Sequence, residues 1–134
     1  MGFRVTVVDH RPATLSQERF PGAFRLADRR AKEGTAGLPA GPRAFAVGKT
    51  HSFGHDREWV RQLLAAGVPY IGLLGPRVRV AKILSQIGAD AGDRVFTPVG
   101  LDLGAEGPEQ VALSIVAELL AVHSSRQPWR LREK

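Results

Sequence analysis

The sequence has no cysteine, one methionine, one tyrosine and two tryptophans among its 134 residues. Without cysteine there is no disulfide framework, no thiolate metal site and no cysteine nucleophile. No stretch approaches the ~20 uninterrupted apolar residues of a spanning helix, which excludes that kind of membrane protein. The charged, apolar and small-residue segments of a secretory leader are also absent, and the expected location is cytoplasmic. There is no internal repeat, no nucleic-acid module and no aromatic interleaving of the basic residues. The formal charge of +6 therefore reads as an arginine-rich surface or as attraction to phosphates, and not as a nucleic-acid partner. Its basic residues gather loosely at Arg25, Arg29, Arg30 and Lys32, and again at Arg126, Arg130 and Arg132.

What is present suits one ordinary domain: 43% hydrophobic and 24% charged residues, close to globular averages. The apolar run from Phe3 to Val8 predicts a strand, closed by Asp9. A short helix is expected near Leu15 to Arg19, stopped by Pro21-Gly22. Residues Ala31 to Pro42 are rich in Gly, Pro and Ala, which marks a loop. A second strand follows over Ala44 to Val47. Asp56 is expected to cap a helix carrying Trp59, Val60, Leu63 and Leu64 at helical spacing, with Gly67 at its stop. Val68 to Leu74 is apolar throughout, as a strand covered on both faces is.

Gly75-Pro76 turns into the next helix, where Val80, Leu84 and Ile87 form the inward stripe, Arg77, Arg79 and Lys82 lie off it, and Gly88 ends it. Val95 to Pro98 is extended and leads to Gly100-Leu101-Asp102-Leu103-Gly104. The last helix runs from Pro108 to about His123. Its apolar residues, including Leu113, Ile115, Leu119 and Leu120, cover most of the circumference and leave a thin polar line at Gln110, Ser114 and Glu118. Such a helix is expected to be well buried. Beyond the domain, residues 1–123, a basic tail of residues 124–134 reads as loose, with Trp129 as its docking point.

Strands alternating with helices over short connections predict an α/β fold: a three-layer, Rossmann-like, mostly parallel sheet with helices on both faces. It is incomplete at the N-terminus. An acid closing a strand, as Asp9 does, ordinarily finishes the second strand of a dinucleotide-type domain. The first strand and Gly-rich phosphate turn that precede it are not in the sequence. Loss of that central strand leaves neighbouring edges unpaired or forces them together, which predicts a homodimer or a strand borrowed from a partner.

Ligands of open α/β sheets sit beyond the carboxyl ends of the strands. That rule selects Asp9, His10, Arg11, Thr50, His51, Gly72, Gly75, Arg77, Gly100, Asp102 and Gly104. Asp9 either accepts from a ribose hydroxyl or bonds to nearby backbone as a turn acid. Arg11 either takes a phosphate bidentately or makes a surface ion pair. His51 and His55 are four apart but flank a loop with no third ligand nearby, so no metal site is expected; His51 alone suits a cofactor edge.

Gly75 with Arg77 and Arg79 offers close backbone approach and a positive dipole end, or is a plain turn. Gly48-Lys49-Thr50 is not a phosphate loop, since Arg43 stands where the first glycine belongs. Gly100 to Gly104 is a ligand loop or a structural cap, Glu106 and Glu109 suit the start of the last helix, and Asp102 is the residue there best suited to a ligand or partner. No catalytic set is legible.

Several of these segments together resemble a known family. Gly2-Phe3-Arg4-Val5-Thr6-Val7-Val8-Asp9-His10-Arg11, Thr50-His51 with Asp56, Tyr70-Ile71-Gly72-Leu73-Leu74-Gly75, and Pro98-Val99-Gly100-Leu101-Asp102-Leu103-Gly104-Ala105-Glu106 are similar to the C-terminal domain of the XdhC/CoxI family. These are accessory proteins of xanthine dehydrogenase and related molybdenum hydroxylases. The resemblance implies a Rossmann-like domain from proteins that bind the molybdenum cofactor (molybdopterin) and help deliver it to the apo-enzyme. The partner it implies is a molybdenum hydroxylase or another maturation subunit. The sequence departs from the family at Pro76, where serine is usual, and at Lys49, usually apolar. The competing readings are a nucleotide-dependent oxidoreductase and a truncated domain that acts only in the association of subunits.

Overall fold

A computed structural model describes residues 2–48, 50, 52–88 and 93–133. Among the described residues five strands form, β1 (Thr6–Asp9), β2 (Arg25–Asp28), β3 (Phe45–Gly48), β4 (Tyr70–Leu73) and β5 (Val95–Phe96), with three α-helices, α1 (Phe53–Ala65), α2 (Arg77–Ile87) and α3 (Gly107–His123). Every strand pair is parallel. The strands divide into two sheets, β1-β2 and β3-β4-β5. Among the described residues no backbone hydrogen bond joins β1 to β3. None of the three helices is long and apolar enough to cross a membrane.

The core lies on one face of the larger sheet. Ile71 and Leu73 of β4 pack with Val60 and Leu64 of α1 and with Val80 and Ile83 of α2. Adjacent strand residues point to opposite faces, so Tyr70 and Gly72 face the other way, toward α3. There the Tyr70 hydroxyl donates to Glu118 Oε1 at 2.7 Å, and its ring stacks on Phe96 at 4.3 Å. Helices thus cover both faces, as expected of the three-layer fold.

Several local expectations are corrected. No helix forms at Leu15 to Arg19. A segment of that length between Pro12 and Pro21 cannot offset the cost of nucleation, and Ser16 instead closes a turn, its hydroxyl accepting from Arg19 N at 3.1 Å. The segment read as a basic cluster contains β2, in which Ala27 is buried and Leu26, on the opposite face, is half-buried. Two of its arginines are occupied with the Gly-rich loop: Arg25 donates to Gly37 O at 2.6 Å and Arg29 to the carbonyls of Gly34 and Ala36. The cap of α1 is Ser52, whose hydroxyl accepts from His55 N, and not Asp56. Pro76 is the cap residue of α2, one place earlier than the first helical position.

The largest correction concerns α3. Only Ser114 and Ile115 are buried, while Leu113 and Leu120 are 61% and 54% exposed. Ser114 and Glu118 of the polar line turn inward, because Glu118 is held by Tyr70 and by Gly100 N at 3.1 Å, while Gln110 is exposed. The apolar arc is left facing out. Trp129 does not dock either; it is 63% exposed.

Candidate functional site

The carboxyl ends of β1 and β3 lie along one edge, and the residues that end the strands set its chemistry. Asp9 closes β1. Its Oδ1 accepts from the Arg11 backbone N–H at 2.9 Å and from Arg11 Nε at 3.1 Å, and Oδ2 accepts from Nη2 at 3.1 Å. These bonds from Arg11 hold the Asp9 carboxyl at about 2, so it is ionised at neutral pH. The same pairing raises Arg11. Both readings of these residues meet here: Asp9 is a turn acid that bonds nearby backbone, and Arg11 is a bidentate fork whose present anion is Asp9. The pair is open to solvent.

His10 follows and turns its ring against His55 in the first turn of α1, with centroids 4.9 Å apart and planes at 71°. That contact joins the end of β1 to the start of α1. Beneath it Thr50 builds the turn out of β3. Its hydroxyl donates to Ser52 O at 2.8 Å, and its N–H donates to Asp56 Oδ1 at 3.0 Å. Asp56 is 4% exposed and its other oxygen accepts from Arg79 of α2, so Arg79 is a structural counter-ion and not a free cation of the rim. His51 and Lys49 lie outside the described residues.

At the third strand end, Gly75 has φ +133° and a Cβ there would stand 4.0 Å from Arg79 Nη1, and Arg77 at the start of α2 is exposed. The first N–H groups of a helix have no intrahelical partner, so this corner keeps free donors. Asp102 and Gly104 are exposed on the loop before α3. Two of the glycines serve packing. A Cβ on Gly72 would stand 2.5 Å from Val99 and 3.0 Å from the Tyr70 ring, and one on Gly100 would stand 2.5 Å from Ser114 Oγ. The structure brings Asp9, His10 and Arg11 to one point against His55, places Thr50 in the turn that leads into α1, and leaves Gly72 and Gly100 beneath α3.

Two groups at this edge are not among the residues selected from sequence. Asp28 ends β2 in register with Asp9; its signal is the repeat of the Val7-Val8-Asp9 pattern as Leu26-Ala27-Asp28. His55 was visible only as half of a metal spacing, and no local signal ties it to His10. Below the rim a cavity of about 280 Å³ runs between β1 and β3, lined by Thr6 and Val8 on one side, Phe45 to Gly48 on the other, and Trp59 and Leu63 of α1.

The profile of the XdhC Rossmann domain matches residues 1–119. A Bacillus subtilis (strain 168) protein, named as a probable xanthine dehydrogenase subunit, is 38% identical over 119 residues, which are 89% of this chain and 36% of that protein. "Uncharacterized protein YqeB" of Escherichia coli (strain K12) is 29% identical over 131 residues, 93% of this chain and 24% of that one. The crystal structure of a xanthine dehydrogenase from Bacillus halodurans superposes with a TM-score of 0.83 at 32% identity, over 94% of this chain and 37% of the other. The chain thus spans little more than a third of the length of these relatives, or less. With the profile covering nearly all of it, and its parallel strands and helix layers in the order described, the chain belongs to the XdhC family as a C-terminal Rossmann-like domain.

Proposed function

We propose that this chain is an accessory module for molybdenum hydroxylases of the xanthine dehydrogenase type. It holds the molybdenum cofactor, or a nucleotide, at its carboxyl edge and assists insertion of the cofactor into a hydroxylase or another maturation subunit. The observation that carries the reading is the clustering of Asp9, His10 and Arg11 against His55 on that edge, in a chain whose relatives carry xanthine dehydrogenase names.

The donor set fits a pterin with a phosphate or dinucleotide tail. Arg11 is a preformed fork, and because its pairing with Asp9 is exposed, a phosphate can replace the carboxylate there at little cost. Released, Asp9 is an ionised acceptor for a hydroxyl. The α2 start, with Gly75 permitting close approach and Arg77 beside it, adds N–H donors and a positive dipole end. When bound, the cofactor supplies metal-centred redox chemistry; the residues of this chain bind and orient it.

Native mass spectrometry of the purified chain, followed by added ADP or molybdopterin, tests the reading. A co-purifying or added pterin or nucleotide bound by the chain, and lost in Arg11→Glu, supports it. A chain that carries neither and binds neither overturns it.

A further inference from the structure

The residues of α3 that face away from the sheet form a stripe that complements its own reverse. At 3.6 residues per turn, Glu109, Leu113, Val116, Leu120 and His123 fall within about 80° of arc. They lie opposite Ser114, Ile115 and Glu118, which are buried or bonded on the sheet side. The middle of the stripe is apolar, with Leu113 and Leu120 more than half exposed. Its ends differ in chemistry. Glu109 stands in the first turn and His123 in the last, equally far on either side of Val116. Arg126 lies exposed just beyond His123.

The middle of this face carries no charge. Glu109 and Glu118 are the only Asp, Glu, Lys or Arg within α3, and Glu118 is turned inward to Tyr70. The flanks of the stripe are Gln110, Ala112, Ala117 and Leu119, and the alanines let a second helix axis come close. Copies of a chain with formal charge +6 repel one another, and a face that is neutral in the middle and of opposite sign at its two ends escapes that repulsion.

We infer that the outer face of α3 binds the same face of a second copy of this chain, antiparallel, across a two-fold axis near Val116. Leu113 then lies against Leu120 of the other copy, and Glu109 meets His123 and Arg126 of the other copy. Each contact is made twice, as an isologous interface requires. The imidazole has an N–H to give the carboxylate in either protonation state, and the two helix dipoles oppose one another. A parallel pairing sets acid against acid, and an unrelated partner has no need of ends that complement each other. A single helix pair is a small interface beside the ~1,200–2,000 Å² typical of stable complexes, so a dissociation constant on the order of micromolar is expected. This inference does not depend on the cofactor reading.

Sedimentation equilibrium of the 134-residue chain tests it, and a monomer–dimer equilibrium is expected. Leu113→Glu and Leu120→Lys, both at exposed positions, are expected to weaken the dimer by about tenfold or more and to leave the circular dichroism unchanged. Mixed in equal amounts, the two variants are expected to dimerise with each other. One contact of the mixed pair then sets a carboxylate beside an ammonium, and the other stays leucine on leucine. Cross-linking reads the position of the axis independently. The chain has no cysteine, so Val116→Cys is expected to form a disulfide with its own copy at least about tenfold faster than Gln110→Cys, which lies to one side. Three results overturn the inference: a chain that stays monomeric up to about 300 micromolar, a dimer indifferent to both leucine substitutions, or equal cross-linking of the two cysteine variants.

Discussion

Tyr70 and Glu118, 48 positions apart, are joined by a 2.7 Å hydrogen bond between a fully buried phenol and a carboxylate on α3. Burial foremost, and then the bond to Glu118, push the phenol far above its ordinary range, so it is a fixed donor at every accessible pH. Glu118 Oε1 also accepts from Gly100 N, which ties the loop before α3 to the same point. Tyr70→Phe leaves the carboxylate with the Gly100 bond alone and is expected to destabilise the fold by about 1–3 kcal/mol. Glu118→Gln keeps an acceptor oxygen and is expected to lose less. Urea unfolding of both variants, with the slope unchanged, checks the order.

The glycines of the same loop separate two kinds of cost. At Gly100, φ is +104° and a Cβ would meet Ser114 Oγ at 2.5 Å, whereas at Gly104 φ is +66° with nothing within 4 Å. Gly104→Ala carries backbone strain alone, about 1 kcal/mol. Gly100→Ala adds a clash with α3 and is expected to lose about 2–4 kcal/mol. Thermal unfolding of the two variants side by side distinguishes them.

Asp56 and Arg79 couple α1 to α2. The Asp56 carboxylate is 4% exposed, with Thr50 N and Arg79 as its donors. Arg79→Met strands a buried charge and is expected to destabilise by about 3–5 kcal/mol. Adding Asp56→Asn to it keeps the oxygen that accepts from Thr50 and removes the charge, which should recover most of the loss. A double-mutant cycle in denaturant reads the coupling directly.

The Asp9–Arg11 pair predicts a pH response of definite sign. The Asp9 carboxyl sits at about 2 in the folded chain against an ordinary 3.8. Because the folded value is the lower one, the pair's contribution is present above ~pH 4 and is lost as pH falls toward 2. The pair is exposed, so its contribution is about 0–1 kcal/mol. A carboxyl-carbon NMR titration is expected to place the Asp9 midpoint near 2, and Arg11→Gln is expected to move it up toward 3.8.

Local periodicity carried much of the fold. The unbroken apolar run at Tyr70 to Leu73 and the Gly75-Pro76 turn made β4 and the start of α2 legible, and the spacing of Val60 and Leu64 did the same for α1. β2 was hidden because Arg25 and Asp28 leave only two apolar residues between them, and its pairing with β1 is what makes it a strand. The orientation of α3 was hidden for the opposite reason: apolar residues surround it, so its own pattern favours no face. A single polar tether from Tyr70 decides the matter. At the candidate site the strand-end rule selected Asp9, His10, Arg11 and Thr50. It could not tell that Asp9 and Arg11 bind each other, or that His10 meets a ring far along the chain, since both depend on tertiary placement.

That tether turns the usual guidance for altering a helix upside down along α3. Leu113 and Leu120, by residue type the ones to leave alone, face outward in this chain, and charged replacements there should be tolerated by the folded protein and reduce its tendency to adhere to other surfaces. Ser114 and Glu118, by residue type the natural places to experiment, are the ones whose loss would let the helix come away from the sheet.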